Sequence, residues 1–260
     1  MKPKKEKKHP FFSGSGKFLL SLLGFYLLYF AVNKIMDARH GGENNFTKSE
    51  VEISGNKLIS ESQILGICGF KNSQDNLPVN INVDAVAGKL MDLYYVKGVS
   101  ITRRLPRKLN ITIEERTPVA FIYGVGLNLI DQLGFLMPVP ETTKPWDLPV
   151  ITGIRSKLGE LGKQSTASAT YVALEILNYL ETQNALLYAM VSQLDMSQDK
   201  YINLYLIRGG ATIRINRNAY QKELYVLKNY LINYVDWVEL DDIEYIDLRF
   251  EDQLIVKFRT

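Results

Sequence analysis

The sequence predicts an α+β protein carried behind a single transmembrane helix. Three observations predict it: a charge-free apolar stretch near the start, a compact β-α-α-β-β pattern over residues 50–116, and a longer region of short strands interrupted by two helical patterns.

The apolar stretch is Phe18–Val32, FLLSLLGFYLLYFAV, with Lys17 on one side and Asn33-Lys34 on the other. As a helix it spans about 22 Å, less than a hydrocarbon core of about 30 Å. Extending it from Gly14 to Met36 gives about 34 Å, with Lys17 and Lys34 free to snorkel toward opposite headgroup layers. Tyr26 and Tyr29 lie toward its outer half, where amphipathic rings favour the interface. A cleavable signal peptide has the same basic-apolar-polar order, but no small-x-small site follows closely, and the apolar run is rich in Phe and Tyr. A buried soluble helix leaves the upstream lysines without a role. The segment 18–36 therefore reads as an uncleaved anchor. Lys2, Lys4, Lys5, Lys7, Lys8 and Lys17 before it outweigh Lys34 and Arg39 after it, which holds the 1–17 tail in the cytoplasm and exports the rest.

After a polar linker over 37–49, Val51-Glu52-Ile53 alternates as a short strand and Ser54-Gly55-Asn56 turns the chain. Ser60 with Gln63 three residues on is a capping box for a helix through Ile67, stopped by Gly69. A second helix from about Asp84 aligns Val86, Leu90 and Leu93. Val96–Arg104 is a strand, Leu105–Lys108 a turn, and Leu109, Ile111 and Ile113 alternate in the next strand. Thr117-Pro118 marks the join to the unit over 117–260, because the residue before proline is driven out of helix.

In that unit Val119–Tyr123, Leu127–Ile130 and Phe135–Met137 are short strands, prolines 138, 140, 145 and 149 mark an irregular crossing, and Leu148–Ile151 reads as a strand. Residues 155–167 read as a loop and Ala169–Leu180 as a helix. Val191–Asp195, Tyr201–Ile207 and Ala211–Ile215 are strands. Tyr220, Leu224, Leu227, Leu231, Tyr234 and Val238 recur at helical steps. Tyr245–Phe250 and Leu254–Phe258 close the chain. The expectation is a mostly antiparallel sheet with two helices on one face.

Composition excludes several functions. Net charge is +3, yet beyond residue 17 there are 25 basic against 27 acidic residues, so the exported part is not a polyanion binder by bulk charge. The two histidines, His9 and His40, fall outside the predicted folded units, which removes imidazole triads and histidine zinc sites. Cys68 is the only cysteine and reads as a small packed hydrophobe. Gly124-Val125-Gly126 lacks the helix a nucleotide loop needs. Glu114 and Glu115 point to opposite faces of one strand and cannot share a proton. No cofactor, metal, nucleic acid or small-molecule substrate is expected.

Two places remain. Glu115, Arg116 and Pro118 sit at the domain junction, where charge-assisted bonds would organise the join. In the last hairpin, alternation places Ile246, Leu248 and Phe250 toward the core and Tyr245, Asp247 and Arg249 outward. An uncovered edge there invites an added strand; equally, Lys257 and Arg259 could guard an ordinary edge.

A basic tail and one apolar helix precede Val51-Glu52-Ile53-Ser54-Gly55-Asn56. Leu105-Pro106 is followed at fixed spacing by Leu109, Ile111, Ile113, Glu115-Arg116 and Pro118-Val119-Ala120. Leu129-Ile130-Asp131 with Gly134, Leu148-Pro149 with Ile151 and Gly153, and Ile246-Asp247-Leu248-Arg249-Phe250 come after. In this order the chain resembles the bacterial cell-division family FtsQ/DivIB, with a POTRA-like domain over 50–116. The resemblance implies a non-enzymatic divisome scaffold of the cell (inner) membrane at the division septum. It implies binding of FtsB/FtsL (DivIC/FtsL)-type partners, with FtsW/FtsI-directed septal peptidoglycan synthesis downstream. Strand addition by the FtsB-like partner carries over to Tyr245, Asp247, Arg249, Phe250, Val256 and Phe258. The alternative is a POTRA-type module assisting transport or assembly of exported proteins.

Overall fold

The computed structural model describes residues 24, 26–36, 50–73, 81–104, 108–141, 145–236, 238–251 and 253–260. The predicted tail 1–17, linker 37–49 and turn 105–107 lie outside the described residues, as do Phe18–Leu23 and Phe25 of the predicted anchor. Residues 26–36 are helical and leave Tyr26, Leu27, Leu28, Tyr29, Phe30, Ile35 and Met36 exposed, an apolar surface. Among the described residues no helix is long and apolar enough to cross a membrane; they cover only part of the predicted segment.

The first unit follows the predicted order: β1 (Glu50–Ser54), α1 (Glu61–Cys68), α2 (Val83–Met91), β2 (Val96–Arg104) and β3 (Lys108–Glu115). Ser60 accepts the Gln63 N–H and Gly69 takes the left-handed cap at φ +82°, as the capping signature and the glycine require. Among the described residues, its sheet runs β1-β3-β2, with β1 parallel and β2 antiparallel to the central β3. Leu109, Ile111 and Ile113 of β3 are buried against Ile64, Leu65, Val86 and Leu90 from the two helices. Burial pushes the Cys68 thiol up to about 11, opposed by the charge of Lys89, so the group stays a neutral packing element.

The second unit contains β4 (Pro118–Tyr123), β5 (Leu127–Asp131), β6 (Leu136–Pro138), β7 (Val150–Thr152), α3 (Ser168–Gln183), α4 (Ala185–Met190), β8 (Val191–Asp195), β9 (Tyr201–Leu206), β10 (Thr212–Asn216), α5 (Tyr220–Tyr234), a 3₁₀ turn (Glu239–Asp241), β11 (Ile243–Asp247) and β12 (Ile255–Phe258). Its described strands form one sheet in the order β12-β11-β10-β9-β8-β7-β4-β5-β6. Leu174, Ile176, Leu177 and Leu180 of α3 and Leu224 and Leu227 of α5 are buried in one core with Ile122, Ile151, Leu194, Leu204, Ile213 and Ile246 from the strands.

The sheet is mostly antiparallel, as expected, but β4/β7, β7/β8 and β10/β11 pair in parallel. Parallel neighbours require crossovers, which the proline-rich segment, the α3–α4 pair and α5 supply. Helix α4 was not expected; at six residues it is too short to carry a readable period, and it starts where Asn184 accepts the Leu187 N–H. The α5 stripe ends early, with Tyr234 exposed at the helix end and Val238 exposed beyond it. Strand β11 stops at Asp247 rather than Phe250, for reasons given below.

Candidate partner-binding site

The two ends of the large sheet differ. At the β6 end, the 155–167 loop lies across the edge: Leu136 donates to the Lys163 carbonyl (3.0 Å), Gly162 donates to that of Leu136 (2.8 Å), and Phe135 bridges to Gln164. At the other end β12 pairs with β11 only, in antiparallel register Ile246↔Val256 and Asp247↔Ile255. Among the described residues nothing pairs with its outer side, so a row of backbone donors and acceptors faces outward.

Alternation sorts the side chains around this edge. Ile202, Leu204, Ile213, Ile215 and Ile246 face the helices. Tyr201, Tyr205, Arg214 and Tyr245 fall on the opposite, uncovered face by register. There the Arg214 guanidinium stacks 4.3 Å over Tyr245 and that of Arg249 stacks 4.3 Å over Tyr201. Between the two arginines Asp247 is only 3% exposed. Arg249 Nε and Nη2 donate to its two carboxylate oxygens (2.8 and 2.6 Å), Arg249 N–H donates to Oδ1 (3.2 Å), and Arg214 lies at 3.8 Å. Burial alone would raise the Asp247 pKa. The hydrogen bonds and charge of Arg249, helped by Arg214, outweigh it and hold the carboxyl below its usual range.

That clamp also explains where β11 ends. Leu248 N–H still bonds to the Arg214 carbonyl, but the Asp247–Arg249 ring then turns the backbone out of the pleat. Phe250 is therefore 50% exposed instead of in the core, and Asp247 is covered instead of solvated. A folded-state pKa below the ordinary 3.8 means that this group stabilises the fold above that pH, and that the contribution is lost as pH falls through the lower, folded value. Asp247→Asn is expected to flatten the acid limb of a urea-stability profile below about pH 4. An unchanged slope would show that the clamp is not coupled to folding.

The remaining hairpin residues separate. Phe258 is 53% exposed and stands opposite Ile243 at the end of β12. Val256 faces the helices and packs partly buried against the core, so a partner does not reach it from the open face. Phe250, Leu248, Leu254, Val226 and Glu223 line a groove of about 500 Å³ between the hairpin turn and the start of α5. Glu223 is buried there, which raises its pKa against the lowering effect of hydrogen bonds from Asn216, whose N–H lies 2.5 Å from Oε2. Tyr245, Asp247 and Arg249 thus come together on the open face, Phe250 and Phe258 flank it, and Val256 is set apart. Sequence reasoning missed Arg214 and Tyr201; a lone arginine between Ile213 and Ile215 in an alternating strand was the available signal.

Lys257 and Arg259, the candidate guards, are both engaged. Lys257 pairs with Glu244 at 2.8 Å, and Arg259 donates its guanidinium to the Gly209 carbonyl.

At the junction, Glu115 accepts the N–H groups of Lys57 (2.9 Å), Leu58 (2.8 Å) and Ile59 (3.0 Å), fixing the β1–α1 turn. The next residue reaches into the second unit. Arg116 Nη1 lies 2.9 Å from Asp131 Oδ2, with Asp131 buried and the Arg116 side chain largely covered, and its guanidinium stacks 3.5 Å over Phe135. Arg116 N–H bonds to the Tyr95 carbonyl, and the Tyr95 hydroxyl donates to the Pro138 carbonyl at 2.7 Å. Pro118 is buried at the start of β4. Among the described residues no group of three His, Cys, Asp or Glu side chains is placed to hold a metal ion.

Comparison with known proteins matches both units. Residues 46–116 fit the POTRA domain of FtsQ type, and residues 120–249 fit the C-terminal domain of cell division protein FtsQ/DivIB. The chain belongs to the FtsQ/DivIB family. Relatives include cell division protein FtsQ of Geobacter sp. strain M21, 24% identical over 80% of this chain and 74% of that protein. Cell division protein FtsQ of Geotalea daltonii is 24% identical over 83% and 77% respectively. Cell division protein DivIB of Clostridium acetobutylicum is 24% identical over 79% and 80%. The FtsQ/DivIB match over 120–249 includes Tyr245, Asp247 and Arg249 of the uncovered face.

Proposed function

We propose that this FtsQ/DivIB protein is a single-pass, membrane-anchored divisome scaffold, with its N-terminus cytoplasmic and its folded units outside the membrane at the septum. It acts by binding and not by catalysis. The β12 edge takes up an added strand from an FtsB/FtsL (DivIC/FtsL)-type partner, and the bound assembly helps recruit and regulate FtsW/FtsI-type septal peptidoglycan synthesis. One observation carries the reading: among the described residues the outer side of β12 is unpaired, while the two cations that would guard it are drawn to Glu244 on β11 and to the Gly209 carbonyl in the β9–β10 turn. Confinement to the membrane in which the partners are also held raises the effective concentration, so modest contacts suffice. The exposed apolar helix over 26–36 supports the anchor.

Hydrogen exchange on the full chain tests strand addition. Adding the extracytoplasmic segment of the FtsB-type protein from the same cell is expected to slow exchange at the outward-facing amides of Ile255–Phe258, with little change in the β6 edge. Binding without protection in β12 would remove the strand-addition site while leaving a partner interaction in place. No observation favours a transport or assembly module for exported proteins.

A further inference from the structure

The register of the small sheet gives one of its ends a definite relation to the chain's entry point. Glu50, the first residue of β1, pairs with Lys108, and Lys108 pairs with Arg104 at the end of β2. The chain therefore enters this unit beside the β2–β3 hairpin end, while β3 leaves toward the second unit from the opposite end. Arg103 and Arg104 are both exposed there, on opposite faces of β2, and no carboxylate pairs with either among the described residues. The acids at this end, Glu50 and Glu52, share Lys108 at 3.4 and 3.1 Å and stand beside β3 instead of pairing with either arginine, so three cations against two carboxylates leave this end with a net charge of +1. β2 is also an edge strand of the sheet, and its two arginines stand in the last two ladder pairs, Arg103↔Leu109 and Arg104↔Lys108.

We propose that this end of the POTRA unit, through Arg103 and Arg104, rests on the anionic headgroups of the bilayer that holds the N-terminal helix. The inference rests on the anchoring reading above. Thirteen residues, the length of 37–49, reach at most about 45 Å, which bounds how far the arginines can stand from the bilayer. Each basic side chain near an anionic surface shifts the docked-to-undocked ratio about 5-fold, or about 30-fold for two, and the tether supplies the high local concentration that makes so small a preference effective. Docking at this end stands the small sheet off the bilayer with β4–β12 outermost, which orients the β12 edge.

The test uses the full chain in nanodiscs. Thr102→Cys places a thiol on the exposed face of β2, two residues from Arg104; Cys68, with its thiol pKa pushed up to about 11, does not compete for an environment-sensitive label at neutral pH. Emission is expected to rise in phosphatidylglycerol-containing nanodiscs and not in pure phosphatidylcholine. The rise should fall by about 30-fold in docked-to-undocked ratio in R103A/R104A, return in R103K/R104K, and vanish near 1 M salt, where the screening length is about 3 Å. Equal emission in the two lipids, or no effect of R103A/R104A, overturns the proposal. A label that ignores lipid but responds to an added divisome protein overturns it in favour of a protein contact. A chain that fails to float with vesicles of either composition overturns the anchoring reading as well, which separates the two failures.

Discussion

Phe250→Ala and Phe258→Ala are each expected to weaken binding of an FtsB-type segment by about 30-fold while leaving the fold unchanged. Both rings are about half exposed at the rim of the β12 edge, so the apolar surface they present is already paid for by the free protein. Truncating them removes the exposed half of each ring that a partner would meet. The same change at Val256 would confuse the result, because that side chain packs against the core and its loss destabilises the hairpin itself. Calorimetric titration against the partner's extracytoplasmic segment, with thermal melts of each variant alongside, reads both effects. Unchanged affinity in both variants would move the binding surface away from the β12 edge.

Arg116→Ala is expected to be the most destabilising single exchange, at about 3–5 kcal/mol. It leaves Asp131 buried with its charge uncompensated, and it removes the plate stacked on Phe135. Asp131 still accepts the N–H groups of Leu133 (3.0 Å) and Phe135 (2.8 Å), so the turn between β5 and β6 keeps its local bonds while losing its tie to the first unit. Denaturant unfolding followed by separate probes in the two units should then resolve two transitions in place of a joint one. A loss below about 1 kcal/mol, the scale of an exposed pair, would show that the junction is held by other contacts.

Local pattern made much of this legible. The alternation of Leu109, Ile111 and Ile113, the Ser60–Gln63 capping box and the turn glycine at 69 all act within a few residues, and the structure uses each as read. What sequence could not give depends on partners brought from far along the chain. Asp247 looks solvated in its strand until the backbone turns Arg249 back onto it and Arg214, on β10, arrives at its other side. Glu115 looks like one of two equivalent carboxylates until the backbone of 57–59 supplies three donors to one of them. The period that marks α5 runs on into Tyr234 and Val238, where no sheet remains to bury it. Parallel pairing was hidden for a related reason: alternation tells which face a residue takes and says nothing of which strand lies next to it.

The antiparallel seating of β12 on β11 has a mechanical meaning. A partner strand added along β12, as proposed above, would share its axis, so a pull along the partner's chain would run parallel to β12. Tension in that direction would strain all the interstrand hydrogen bonds of such a strand at once, in shear, where a pull at right angles would open them one after another. A few weak bonds loaded together hold far longer under tension than the same bonds unzipped in sequence. An attachment of modest affinity at this edge would therefore still serve as a durable coupling while the cell constricts.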